Sequence, residues 1–162
     1  MSKSTRVFLV RHGATELSAE DRFAGATDVL LSEAGEAARV DTACRLVDKA
    51  RAQARVVWIR AHDAAQAAAI DVRLWTLRRG SFVAHRIHVP GRRVWPVLIG
   101  TGDPPPEHRD VLLNLADTVP ADITGIGRLI EIVDARPEVL AASRTRYKDY
   151  RDRGYAPATV RL

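Results

Sequence analysis

Residues 56–70 read VVWIRAHDAAQAAAI, and they decide the fold class. Val56, Val57, Trp58 and Ile59 are all β-branched or aromatic, the composition of a short buried strand. From Arg60 to Ile70 the chain is rich in alanine, the strongest helix former, so a helix follows the strand directly. Upstream, Arg6 to Arg11 (RVFLVR) reads as another buried strand. Between the two lies a helix that starts at Ser32, an N-cap residue, with Glu33 and Glu36 near the positive end of the dipole. Ala37, Ala38, Val40, Ala43, Cys44, Leu46, Val47 and Ala50 carry its apolar face to about Gln53 at helical spacing. A β-α-β-α order of this kind opens an α/β sheet.

Downstream the pattern changes. Asp71 to Val89 alternates more than it repeats helically, with turn signals at Arg79-Gly80 and Pro90-Gly91. Val94 to Ile99 reads as a strand, and Gly102-Asp103-Pro104-Pro105-Pro106 is a rigid break, because three prolines fix φ and remove three donors. Glu107 to Val119 reads as a helix, Arg128 to Val133 (RLIEIV) as a strand, Pro137 to Arg153 as a helix and Ala158 to Leu162 as a last strand. The expectation is an α/β fold: an open sheet of mixed strands with flanking helices, a β-α-β-α opening, then a β-hairpin and an α-β-α-β back half. A boundary is expected near residue 72, dividing the chain into segments 1–72 and 73–162, which may also pack as one domain.

The 162 residues suit one domain or two very small ones, and at 46% hydrophobic residues the chain can bury a core. The single cysteine, Cys44, excludes an intrachain disulfide and reads as a small buried apolar residue. The apolar run Val7 to Val10 is too short for an export signal or a membrane span, so a cytoplasmic protein without membrane contact is expected. The net charge of +5 and pI near 10 raise nucleic acid as a partner. However, the basic residues are scattered with acidic ones among them and no aromatic-plus-basic array appears, so nucleic acid is not the expected partner, and an anionic small molecule accounts for part of the excess equally well.

The first strand ends in Arg11-His12-Gly13. Open sheets bind ligands at such strand ends. Gly13 lets the backbone approach an oxyanion, Arg11 and Arg22 offer forked donors to phosphate, and His12, neutral at one nitrogen, is a nucleophile able to carry a phosphoryl group. The strand, Arg11-His12-Gly13, Thr15, Arg22, Gly25, Asp28, Leu31, Ser32, Glu33 and Gly35 together resemble the opening of the histidine phosphatase (phosphoglycerate mutase-like) superfamily. The Arg60-Ala61 pair after the second strand extends the resemblance to residues 5–71. The resemblance implies phosphoryl transfer or phosphate-ester hydrolysis on a phosphorylated small molecule, through a phosphohistidine at His12. Arg11, Gly13, Arg22 and Arg60 would hold the phosphate, with no metal and no cofactor. The family also uses an acid and a second histidine. Asp63 and Asp71 are possible acids, and His85, after the apolar Phe82-Val83-Ala84, is the candidate second imidazole; an outward-facing strand residue is the alternative for His85. His62 reads as a surface residue.

Residues 84–162 resemble the RidA/YjgF family in the order of His88-Val89-Pro90-Gly91, Val94 to Gly100, Arg109 to Leu115, Arg128 to Asp134 and Tyr155 to Val160. That resemblance implies an oligomeric (dimeric or trimeric) small-molecule-binding or imine-deaminase-related module, with the phosphatase segment vestigial. The clamp arginine of the deaminating members is missing, because Pro157-Ala158 runs directly into Thr159. Tyr147 and Tyr150, among Arg144, Arg146, Lys148, Arg151 and Arg153, leave open either phosphate or RNA contact or a solvated helix face.

Overall fold

The computed structural model of the chain describes residues 5–11, 35–77, 79–80 and 82–161. Its strands are β1 (Arg6–Arg11), β2 (Val57–Arg60), β3 (His85–Ile87), β4 (Val97–Gly100), β5 (Val111–Asn114), β6 (Arg128–Val133) and β7 (Ala158–Arg161). Its helices are α1 (Gly35–Ala52), α2 (Ala64–Thr76) and α3 (Pro137–Asp152). The seven strands form one open sheet in the order β3-β4-β2-β5-β6-β1-β7. The open α/β class expected from the alternation of strands and helices is therefore correct. Within that class, every pairing is parallel rather than mixed.

Three local expectations need correction. Asp71 to Thr76 continues α2 instead of alternating as a strand. Ala67, Ile70 and Leu74 are its buried positions, and their spacing of three and four is the helical one. The expected hairpin is absent, because β3 and β4 pair in parallel, His85 with Val97 and Ile87 with Ile99. A parallel neighbour cannot be reached by a tight turn, so residues 88–96 carry the chain back along the sheet. Glu107 to Val119 is not a helix. Its centre, Val111–Asn114, is buried at all four positions as β5, between β2 and β6. A strand covered on both faces loses the alternation that would announce it, and its short apolar run then resembles a buried helix segment.

The register places strands from both sides of residue 72 side by side: β2 lies between β4 and β5, and β1 between β6 and β7. One face of the sheet carries Val57, Ile59, Val97, Ile99, Val111, Leu113, Ile130 and Ile132 against Val40, Ala43, Cys44 and Val47 of α1 and Ala67, Ile70 and Leu74 of α2. Cys44 is buried there, and burial pushes its thiol up to about 12, so it behaves as an apolar core residue. The other face carries Val7, Trp58, Leu98, Leu112 and Leu129 against Tyr150 of α3. Gly100 has its place on this second face, where a Cβ would overlap the Trp58 indole. The indole N–H donates to the Gly102 carbonyl at 3.1 Å.

Candidate protein-docking site

Two groups of side chains stand out from the apolar packing, and they differ in kind. The first is a transverse row at the carboxyl ends of the central strands, where register aligns Arg60 with Asn114 and Asn114 with Glu131. Arg60 is buried, and its guanidinium donates to Asn114 Oδ1 at 3.2 Å, the Thr118 carbonyl at 2.6 Å and Thr118 Oγ1 at 3.0 Å. Glu131 is 1% exposed. It accepts from Asn114 Nδ2 at 2.7 Å, from Arg146 Nε at 3.0 Å and from the Tyr150 hydroxyl. Burial first, then the adjoining Glu131 charge, pushes the Tyr150 phenol well above its ordinary value, so it stays a donor. The charges of this row bind mainly to one another and to nearby carbonyls, although Arg60 Nε and Arg146 Nη2 have no partner among the described residues, and the row ties α3 to the sheet.

This arrangement corrects the reading of Arg60 as a phosphate ligand. It also corrects the outward-facing reading of Tyr150 and Arg146, which point into the sheet. On the other side of the sheet, Arg39 is buried on α1 and donates to the Ile132 and Leu115 carbonyls, both at 2.8 Å. Arg136, ahead of α3, pairs with Asp134 and Glu36. His12, Gly13 and Arg22 lie outside the described residues. Arg11 ends β1, in register with Val133 of β6 and Arg161 of β7.

The second group lies at the β3 edge. His85 is buried rather than outward-facing, with Nδ1 2.6 Å from the Val83 carbonyl and Nε2 3.2 Å from both the Asp71 carbonyl and Asp71 Oδ1. Its ring supports the Trp75 indole, centroids 4.9 Å apart, and on Trp75 leans Phe82 at 5.4 Å and 48°. Trp75 is 55% exposed, Phe82 65% and Val72 61%, and Ile87 on β3 is exposed beside them. Among the described residues β3 is also the last strand at its side of the sheet, with no described strand beside its outer row of backbone donors and acceptors. Single exposed apolar residues are ordinary, but two exposed aromatic rings in tilted contact, with a valine on the same helix, make this edge the candidate interaction surface. Reading 71–76 as helix would have revealed it from sequence: with Ile70 and Leu74 facing the core, Trp75 falls a hundred degrees off that face.

The family described as DNA polymerase III chi subunit, HolC, matches residues 27–158. The DNA polymerase III subunit chi of Pseudomonas aeruginosa is 35% identical over 133 residues, covering 82% of this chain and 93% of that protein. The chain belongs to the DNA polymerase III chi subunit family.

Chi-family membership overturns the histidine phosphatase and RidA/YjgF resemblances, and with them phosphoryl transfer through His12, the hydrolase reading and a phosphorylated small molecule as partner. The family match begins at residue 27, downstream of Arg11-His12-Gly13. The short motif was local, and a motif of that length carries catalytic meaning only in the matching structural context. The RidA-like order of segments failed for a similar reason, since its supposed first helix, Arg109 to Leu115, contains the central strand β5. The cytoplasmic setting expected from the sequence agrees with a polymerase subunit family. Among the described residues no helix is long and apolar enough to cross a membrane.

Proposed function

We propose that this chain is a non-catalytic subunit of a DNA polymerase III assembly, and that it works by docking a protein partner on the Trp75–Phe82 edge. The observation that carries the reading is the exposed ring pair, at 55% and 65% exposure, on a chain of the chi family. The interior charged row is in keeping with it, since Arg60, Asn114, Glu131 and Arg146 are buried and bonded chiefly to one another and to backbone carbonyls. His85 and Asp71 hold Trp75 from behind, so the indole is presented without losing much side-chain freedom on binding.

The test is co-expression of the tagged chain with the other polymerase subunits of its own host, followed by titration calorimetry on whichever subunit co-elutes. Trp75→Ala and Phe82→Ala should each weaken capture by about 2 kcal/mol or more, the scale of an aromatic hot spot. Capture undiminished in the double variant would remove this edge as the docking surface.

A further inference from the structure

From Val72 to Gly102 the chain holds six arginines, at 73, 78, 79, 86, 92 and 93, and no aspartate or glutamate. The chain as a whole has 25 Lys and Arg against 20 Asp and Glu, so the remaining residues hold 19 basic and 20 acidic groups. This one stretch therefore carries the entire positive excess. The structure places it around the sheet edge at β3. Arg79 is exposed in the turn with Gly80, which has a φ of 79°. Arg86 lies on β3 itself, its guanidinium 6.0 Å from the centre of the half-buried Trp95 ring. Arg92 and Arg93 are exposed after the Pro90-Gly91 turn, where Arg92 N–H donates to the Val89 carbonyl at 3.1 Å.

Among the described residues no carboxylate pairs with Arg79, Arg86, Arg92 or Arg93. Elsewhere the contrast is clear: Arg39, Arg45, Arg73, Arg136 and Arg146 all have acidic partners. Unneutralised guanidinium groups, spread along an edge instead of converging on a pocket, match a ligand whose negative charge is also spread along its length.

We propose that the arginine-rich β3 edge, through Arg79, Arg86, Arg92 and Arg93, is a contact surface for single-stranded DNA. This revises the whole-chain view that interspersed charges argue against nucleic acid: the mixing holds outside 72–102 and fails inside it. The proposal rests on the polymerase-subunit reading only for the presence of DNA nearby; the charge distribution stands without it. A single strand is favoured over a duplex because the arginines lie on a strand and in turns, with no helix among them to enter a groove. It is favoured over an acidic protein segment because the guanidinium groups are distributed along the chain's edge, as backbone phosphates are along a strand.

The experiment is fluorescence anisotropy of a labelled oligothymidylate with the purified full chain, between about 50 and 200 mM salt, where a chain making three or four phosphate contacts should show a log–log salt slope of about −2 to −3. Arg92→Glu with Arg93→Glu should lower affinity at least tenfold, on the order expected for losing and repelling two phosphates, and should flatten the slope by about one or more. Arg92→Lys with Arg93→Lys should retain most of the binding. Both positions are exposed turn residues, so circular dichroism should show unchanged folding in both variants. Absence of oligothymidylate binding at low salt, equal binding by the charge-reversed variant, or tighter binding of polyglutamate than of the oligonucleotide would each overturn the proposal. Partner capture in the co-expression assay is a separate readout. DNA binding without capture would sink the docking reading alone, and capture without DNA binding would sink this one alone.

Discussion

The α3 face of the sheet and the β3 edge both bring charged and aromatic groups together, and they use them in opposite ways. On the α3 face, Arg60, Arg146 and Glu131 are buried and hydrogen-bonded to one another through Asn114, or to the Asp117–Thr118 carbonyls. The Tyr150 ring is covered and its hydroxyl is held by Glu131. At the β3 edge the rings of Trp75 and Phe82 are open, and Arg79, Arg86, Arg92 and Arg93 lack carboxylate partners among the described residues. A buried charge has to be matched inside the fold, whereas an exposed one is left available for an external ligand. The interior row therefore stabilises the molecule and the edge is where it meets others.

The comparison breaks most severely at Glu131. Glu131→Ala leaves the Arg146 guanidinium buried without its carboxylate, so urea unfolding should show a loss of about 3–5 kcal/mol. Replacing both members, Glu131→Leu with Arg146→Met, should recover most of that loss, because the penalty comes from the orphaned charge. Gly100→Ala comes next. The new methyl group would overlap the Trp58 ring on the face that carries the row, an overpacking cost of about 1–3 kcal/mol, measured in the same unfolding assay.

The edge should respond differently. Trp75→Ala and Phe82→Ala should change unfolding free energy by only about 1 kcal/mol each, since both side chains are more than half exposed, while partner capture collapses. A large stability loss with intact capture would reverse the assignment of the two regions. Asp41 lies between the extremes: on α1 it accepts from Arg73 of α2 and from Arg45. Burial works to raise its carboxyl, but the Arg73 hydrogen bond and the two guanidinium charges prevail and hold it below the ordinary value. The pair with Arg45 is solvent-exposed, so Asp41→Asn should cost less than about 1 kcal/mol, a cost that shrinks in high salt.

The smallest expected effect is a pH response at His108, which is buried with Nε2 2.6 Å from the Trp95 carbonyl and with Nδ1 unpartnered. Burial lowers its pKa below the ordinary 6.5, while the Trp95 carbonyl opposes the shift. The unfolded chain then takes up a proton that the folded ring refuses, so this contribution is complete above the ordinary value and is lost as pH falls through it toward the folded value. Melting temperature should drop between neutral and mildly acidic pH, and His108→Gln should remove part of that drop.

Much of the architecture was legible locally. The strand Arg6–Arg11, the strand Arg128–Val133 and the helix from Pro137 were read with correct bounds or nearly so. Each has a signal that needs no distant partner: a β-branched run, or a proline in the first helical turn. Val111–Asn114 was misread because a strand buried on both faces has no period to show. The functional reading failed for a related reason. Arg11-His12-Gly13 is a pattern with a known chemistry in another setting, while the match to this chain's own family extends over residues 27–158.

By itself, the order of residues determined the open α/β class, because alternating β-branched runs and alanine-rich helical stretches are local properties of the chain. It also determined where the positive charge is concentrated, since that is a matter of counting along 72–102. Only the tertiary structure decided that Arg60, a plausible anion ligand in sequence, is instead tied to Asn114 fifty-four residues away. It likewise decided that Trp75 is presented outward on a ring of His85. Whether a charged or aromatic side chain is a strut or a contact depends on what the fold brings against it, and those partners are far apart in the chain.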